Sequence, residues 1–416
     1  MTSIASNHTQ RDGAGSARVL RQLDYIMGCV ALIWMAEALV RFDLGTIATL
    51  IAYAYFAARF LMTLPKFLPA TLRLWPMLLY PGVCMVSVYW SLVPMASAIA
   101  SVQIAFTILI GVFLGLQFSL RHLAGMITLA LGVTMIASLG NLGGQFGTAY
   151  SWEGGFLGIY TNKNALGQRA AVLVLTCLFM IVSSRGRILA VCLLLVTLFL
   201  LFKSRSATAV LLSSVCCCGF LVSHIVGTSR QLRPVVWLAG IVSAAIILTL
   251  LIGLGVDPIA TVLEAFGKNA TLTGRSILWQ HGLEKITEAP LLGQGAMAYW
   301  VAPEYAQETE ILRRLYGTTV SAFHNFIVEV LVMLGPLGLL AMLTLIATSF
   351  AAVIRLPAMT ERRWAIWLLV LLIALSLLGS SLYRQHEITL LLVVAIGASA
   401  QRHVLLAPAG RAVRTG

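Results

Sequence analysis

Five cations, Lys163, Arg169, Lys203, Arg205 and Arg384, stand at the ends of apolar runs on the side opposite most of the chain's positive charge. Lys163 and Arg169 flank the start of one run, Lys203 and Arg205 close the next, and the short turn from Ser183 to Arg187 makes the two runs antiparallel neighbours. Four cations gathered at one point repel unless an anion joins them. A pyrophosphate suits such a cluster, because the arginine fork meets phosphate oxygens bidentately; anchoring of helix ends to lipid headgroups is the plainer role for the same residues. The loop Gly154-Gly155-Phe156-Leu157-Gly158 to Gly167 adds glycines that let backbone approach a ligand, with Asn164 placed to cap the following helix, whose free amides favour an anion. Three histidines fall on the same side, His281, His324 and His386. His324 with Asn325 opens an apolar run directly after a long loop, where a near-neutral imidazole suits a proton acceptor; a satisfied polar residue is its bland role. His386 lies beside Arg384 in a short turn, and no Cys/His/carboxylate set has metal-ligand spacing, so no metal or cofactor is expected.

The elements that position these residues follow from composition. Of 416 residues 59% are hydrophobic and 10% charged, with mean hydropathy +0.93, which excludes an ordinary soluble globule. Apolar runs of roughly 17 to 25 residues, each able to cross about 30 Å of hydrocarbon, recur to Leu406. The expected architecture is an all-α polytopic membrane protein with about twelve transmembrane helices, because buried backbone in lipid must satisfy itself. Residues 1–24 read as a cytoplasmic tail, 25–254 as helices one to nine, 255–320 as a long outer loop carrying short helices, 321–406 as helices ten to twelve and 407–416 as a second cytoplasmic tail. Most of the 28 Lys and Arg fall on the side of the termini, so the net charge of +13 reads as topology and no nucleic-acid partner is expected. A cleaved signal peptide is the competing reading of the first span. Glu37 is expected to pair with Arg41, one turn away, and the tenth span is expected to break at Gly335-Pro336. The seven cysteines all fall within apolar spans, where none is placed for an outer disulfide.

The outer loop has its own order. A helix should start at Thr273 or Gly274, run through Arg275 and Trp279, and end at Pro290; a second should run from Pro303 to Tyr316, with acids early and arginines late. Between them Gly293-Gln294-Gly295 reads as a flexible turn, and Tyr299-Trp300 as flat faces suited to sugar rings or to the bilayer.

With these pieces in order, the sequence resembles the superfamily of O-antigen ligases and Wzy-type polysaccharide polymerases, nearest its exopolysaccharide-polymerase branch. The resemblance rests on Tyr160-Thr161-Asn162-Lys163-Asn164-Ala165-Leu166-Gly167, Ser204-Arg205-Ser206-Ala207, Thr273-Gly274-Arg275 with Trp279, Pro290-Leu291-Leu292-Gly293-Gln294-Gly295, and His324-Asn325 followed by Glu329 and Gly335. It covers about Gly154 to Leu340. It implies a GT-C-like fold in the bacterial inner membrane, with both termini cytoplasmic and the site facing the periplasm. The implied activity is transfer of a glycan from undecaprenyl pyrophosphate to an acceptor saccharide or to lipid A core, with a chain-length regulator or flippase as a further partner. By motif position Arg205 and Arg275 match the family's essential arginines and His324 its essential histidine. Lys163, Arg169, Lys203 and Asn164 extend the pyrophosphate site, and Glu329, His386, Trp279 and Asn325 are secondary candidates. Pro336 departs from the family's usual apolar residue.

The chemistry fits the residue types. Breaking a sugar C1 to pyrophosphate bond releases an anion that fixed arginines can stabilise without a metal, while His324, with Glu329 as substitute, takes the acceptor's proton; direct displacement would invert the anomeric carbon. A secondary transporter or lipid-linked glycan flippase is the alternative of another class, since twelve helices with both termini inside is a common transporter plan. The absence of a visible repeat and the gathering of charge at the outer surface count against it. Polymerase and ligase share these motifs, and the wording of the motifs favours polymerase.

Overall fold

The computed structural model describes residues 2–183, 186–228, 275–316, 321–379 and 382–406. Helices dominate: α1 (Thr2–Met35), α2 (Gly45–Arg73), α3 (Trp75–Val86), α4 (Pro94–Gln117), α5 (Leu120–Gly140), α6 (Lys163–Val182), α7 (Arg187–Lys203), α8 (Ala207–Thr228), α9 (Arg275–Glu288), α10 (Ala306–Tyr316), α11 (Phe326–Ile354), α12 (Thr360–Leu377) and α13 (Ile388–Leu405). Extended pairing among the described residues is one isolated bridge, Tyr150 to Phe156. The expected ninth span, Val235 to Leu254, lies outside the described residues, as do Thr273 and Gly274. A helix stands at each of the other expected spans. Seven are long and apolar enough to cross a membrane: α2, α4, α5, α6, α8, α11 and α13. Helix α3, with its 3-10 extension to Tyr89, is a shorter apolar helix.

Buried small residues let the central helices touch. At Gly111 and Gly115 of α4 an added Cβ would stand 2.9 and 2.5 Å from the carbonyl oxygens of Leu391 and Ala395 in α13. Such close backbone approach is how helices associate in lipid, where burial of apolar surface gives no preference for protein over acyl chain. At one end of the bundle Asp24 of α1 accepts from Arg59 Nε of α2 at 2.7 Å, from Tyr55 Oη at 2.7 Å and from Gln117 Nε2 of α4 at 2.9 Å. A fully buried carboxylate is thereby neutralised by a bidentate arginine, and three helices are pinned together.

The opposite end is built from loops. Gly335 has φ +61° and ψ −164°, so α11 is two helical pieces across a kink, as its Gly-Pro pair suggested. Into the kink runs the segment 291–296. Far from being a flexible turn, it donates Gln294 N–H to the Val332 carbonyl and Gly295 N–H to the Met333 carbonyl, each at 2.9 Å. Its other edge is held by Leu92 N–H on the Gln294 carbonyl at 3.1 Å and by Ser97 Oγ on the Ala296 carbonyl at 2.6 Å. Irregular backbone persists beside membrane helices only where protein satisfies it, and here every one of these groups has a partner.

Candidate functional site

Two sequence motifs lock together around α6 and α8. Asn162, not Asn164, caps α6, its Oδ1 accepting from Ala165 N–H at 2.8 Å. Asn164, one residue into the helix, instead accepts from Ser206 Oγ at 3.0 Å. Gly167 is needed where α6 passes Ser206, since a Cβ would lie 2.7 Å from the serine's own Cβ. The loop ahead of α6 folds over this junction: Phe156 N–H donates to the Lys203 carbonyl at 2.9 Å, and Arg205 Nη1 donates to the Glu153 carbonyl at 3.2 Å. Lys163 makes an ion pair with the Glu153 carboxylate, and Lys203 lies over the Phe199 ring at 5.8 Å. Lys163, Asn164, Lys203 and Arg205 are therefore gathered at one end of the bundle with a single carboxylate among them, and both Lys203 and Arg205 are exposed.

Arg169 has other partners. It is buried, with Nη2 3.6 Å from Glu37 and 3.4 Å from Glu387, and Nε donating to the Ala36 carbonyl at 3.3 Å. The expected Glu37–Arg41 pair does not form, because Arg41 holds the loop instead, donating to the carbonyls of Thr148 and Tyr160 at 2.6 Å each. Arg169 thus ties α6 to the end of α1 and to the start of α13.

His324 is half-buried at the entrance to α11, which Asn325 caps by accepting from Ile327 N–H at 2.9 Å. The residue before it is fixed from both sides: Trp279 Nε1 donates to the Phe323 carbonyl at 2.9 Å, and Phe323 N–H donates to the Glu329 carboxylate. Glu329 also accepts from Trp300 Nε1 at 3.4 Å and is 1% exposed, so its geometry is that of a support for the His324 turn. Arg275 begins α9, the helix that carries Trp279.

His386 lies elsewhere. Its Nε2 hydrogen-bonds with Tyr53 Oη at 2.6 Å, its ring packs on Trp34 with centroids 4.7 Å apart, and its N–H donates to Thr107 Oγ1 at 3.0 Å. Burial, assisted by the neighbouring Arg384 charge, pulls His386 down to about 4. So weak a base is poorly matched to proton abstraction near neutrality. His281 bonds Tyr299 Oη at 2.7 Å within the segment between α8 and α11, where Lys285 reaches Glu288 at 2.7 Å and Glu308 at 2.8 Å and joins α9 to α10.

Backbone strain marks this same end. Outside glycine, positive φ occurs among the described residues at Glu37, Asp43, Arg205, Met297, His324 and His386. Three of these, Arg205, His324 and His386, were singled out for their chemistry. Left-handed non-glycine residues cost about 1–3 kcal/mol each and cluster at functional sites, which makes the coincidence informative. The sequence reading passed over Glu153 and Glu387 and misassigned Glu37. For Glu37 and Glu387 the signal was an acid next to a helix end; Glu153 was the one acid in the glycine-rich loop ahead of Lys163.

Among the described residues, seven helices long and apolar enough to cross a membrane define a polytopic integral membrane protein. Residues 170–343, which include Arg205, Arg275, His324 and Glu329, match the family model described as O-antigen ligase. The chain is also 27% identical over 286 residues to the exopolysaccharide production protein ExoQ of Rhizobium meliloti (strain 1021). That match spans 64% of this chain and 62% of the relative's length. Over these stretches the chain is similar to the O-antigen ligase family and to an exopolysaccharide production protein.

Proposed function

We propose that the protein is a glycosyltransferase of the bacterial inner membrane that moves a glycan from undecaprenyl pyrophosphate to an acceptor saccharide at the periplasmic face, extending a polysaccharide. The observation that carries this reading is the convergence of Lys163, at the start of α6, and Arg205, in the turn between α7 and α8, on Glu153, whose carboxylate pairs with the lysine and whose backbone carbonyl accepts from the arginine, with Lys203 and Asn164 beside them. Arg205 and Arg275 hold the pyrophosphate, and Lys163, Lys203 and Asn164 complete its cradle. Arg169 acts beneath them as a strut. The acceptor hydroxyl attacks the donor sugar's C1 as the bond from C1 to the pyrophosphate oxygen breaks; the hydroxyl proton passes to His324, and undecaprenyl pyrophosphate leaves with the electron pair. The anomeric carbon inverts, and no metal takes part.

The domain layout belongs to the same proposal: cytoplasmic tails at both ends, about twelve spans, and the loop 255–320 in the periplasm. The name of the relative from Rhizobium meliloti supports polymerisation over ligation. Deletion of the gene tests the choice. Loss of the exported polymer is the result expected, whereas accumulation of lipid-linked polymer over unmodified lipid A core would mean ligation. Lipid-linked repeat units retained in the cytoplasmic leaflet would instead support a flippase.

A further inference from the structure

Two cavities open at the same end of the bundle, of about 490 and 420 Å³, and they share Gln103, Arg384 and Gln385 as lining residues. Each is of the size that accepts small organic ligands. Arg384 is the junction. Among the described residues its guanidinium has no hydrogen bond or ion pair, although Glu37, Glu329 and Glu387 act on its charge. Gln385 Oε1 is buried and likewise has no hydrogen-bond partner. An amide oxygen left unsatisfied in a folded interior is expensive unless a ligand or solvent completes it, and beside it the half-buried Arg384 guanidinium faces both cavities.

The walls indicate which ligand. The first cavity is lined by Trp34, Glu37 and Glu387, the second by Trp300 and Arg313. Charges of both signs, two side-chain amides and the edges of two indoles are a poor cradle for a polyanion across the whole groove, since its oxygens would meet Arg313 in the second cavity but be repelled by the two acids of the first. They are a good one for a sugar chain, which offers hydroxyls that both donate and accept and ring faces that stack. We propose that the two cavities joined at Arg384 form the acceptor groove of the transferase, binding an oligosaccharide through Arg384, Gln103 and Gln385. The proposal rests on the transferase reading, and it separates the acceptor from the pyrophosphate cradle around Arg205.

Binding is measured on the full chain in lipid nanodiscs, with two probes: oligosaccharides released by mild acid from the host's own exported polysaccharide, and inorganic pyrophosphate. Arg384→Gln and Gln103→Leu should each weaken the oligosaccharide by about tenfold or more, with pyrophosphate little changed, and Arg205→Gln should do the reverse. Gln103→Leu is the safer of the two for folding, since it removes no charge. No oligosaccharide binding by the wild-type chain, or unchanged binding by a folded Gln103→Leu protein, overturns the groove. Loss of pyrophosphate with oligosaccharide retained in Arg384→Gln would make this an anion site and overturn it equally. A wild-type chain that binds oligosaccharide, loses it on these changes and never consumes a lipid-linked donor would leave the groove standing and sink the transferase reading.

Discussion

Gln294 donates its backbone N–H at 2.9 Å to the carbonyl of Val332, the group that Pro336 leaves without a helical donor four residues on. A helix interior proline removes one N–H and kinks the rod, and a loop residue 38 positions before Val332 supplies the missing bond. The Gly-Gln-Gly segment and the Gly-Pro break are therefore one structure in two pieces. Each needs the other's backbone at a distance that no side chain permits.

Gly335→Ala should accordingly be among the most damaging single-methyl changes in the chain. The residue sits at φ +61°, and an added Cβ would lie 2.3 Å from the Leu291 carbonyl oxygen. Strain of that kind costs at least about 1–3 kcal/mol before any displacement of the loop. Gly45→Ala is the control, with nothing within 4 Å of its Cβ. Thermal unfolding of the two variants in detergent should show a large loss for the first and none for the second; equal melting would show that the kink tolerates a side chain.

Glu153 occupies the cation cluster, its carboxylate on Lys163 and its carbonyl on Arg205. If these cations receive a pyrophosphate, Glu153 competes for them, and Glu153→Gln should raise donor affinity by about two- to tenfold, more at low salt. Titration of the lipid-linked donor at two ionic strengths checks this. Weaker binding in the variant would mean that the acid contacts the donor itself.

His386 gives a pH prediction with a defined sign. Its folded pKa of about 4 lies below the ordinary value of about 6.5, so between the two the unfolded chain holds a proton that the folded one does not. Its contribution is intact above about 6.5 and is lost as pH falls towards 4. Tyr53, Thr107, Trp34, Arg384 and Glu387 surround it; Glu387, raised to about 8 mainly by burial, has the opposite slope. Melting curves of wild type and His386→Asn should therefore be compared as a difference, in which Glu387 cancels. The wild type should lose ground to the variant as pH drops from 7 to 4.5, and a flat difference would mean that the histidine titrates normally.

How much of this was legible beforehand varied with the physics involved. Periodicity and hydropathy located the helices, because lipid leaves the backbone few options, and Gly335-Pro336 announced its own kink. The Lys163 and Arg205 cluster was legible because two short connections force those helix ends together. Arg169 was not, since its partners Glu37 and Glu387 lie 132 and 218 positions away and only the tertiary fold, in which α1, α6 and α13 all pack on α5, brings them in. Asn164 was the cap expected from the sequence; the helix already starts at Lys163, so Asn162 caps it and Asn164 meets Ser206 instead.

His324 and the arginines should separate in kinetics. Arg275→Lys keeps the charge but loses the fork, so donor affinity should fall; Arg205→Lys should behave alike. On the proposed function, His324→Ala removes the proton acceptor and leaves the proposed pyrophosphate contacts untouched. A positioned base contributes about a hundred- to ten-thousand-fold to rate, so turnover should drop within that range at near-normal donor binding. The turn that presents His324 is held through Phe323 by Trp279 and Glu329, which allows a further distinction. Trp279→Phe, unable to bond the Phe323 carbonyl, should lower turnover by about tenfold or less while keeping the pH profile of the wild type, since the base is displaced and not removed. His324→Ala should instead abolish the limb of that profile that reports the imidazole. Donor affinity and pH–rate profiles on folded, correctly inserted variants decide the matter. Wild-type turnover in His324→Ala would make the histidine structural, and would pass the role of proton acceptor to Glu329, the acid already bonded to the same turn.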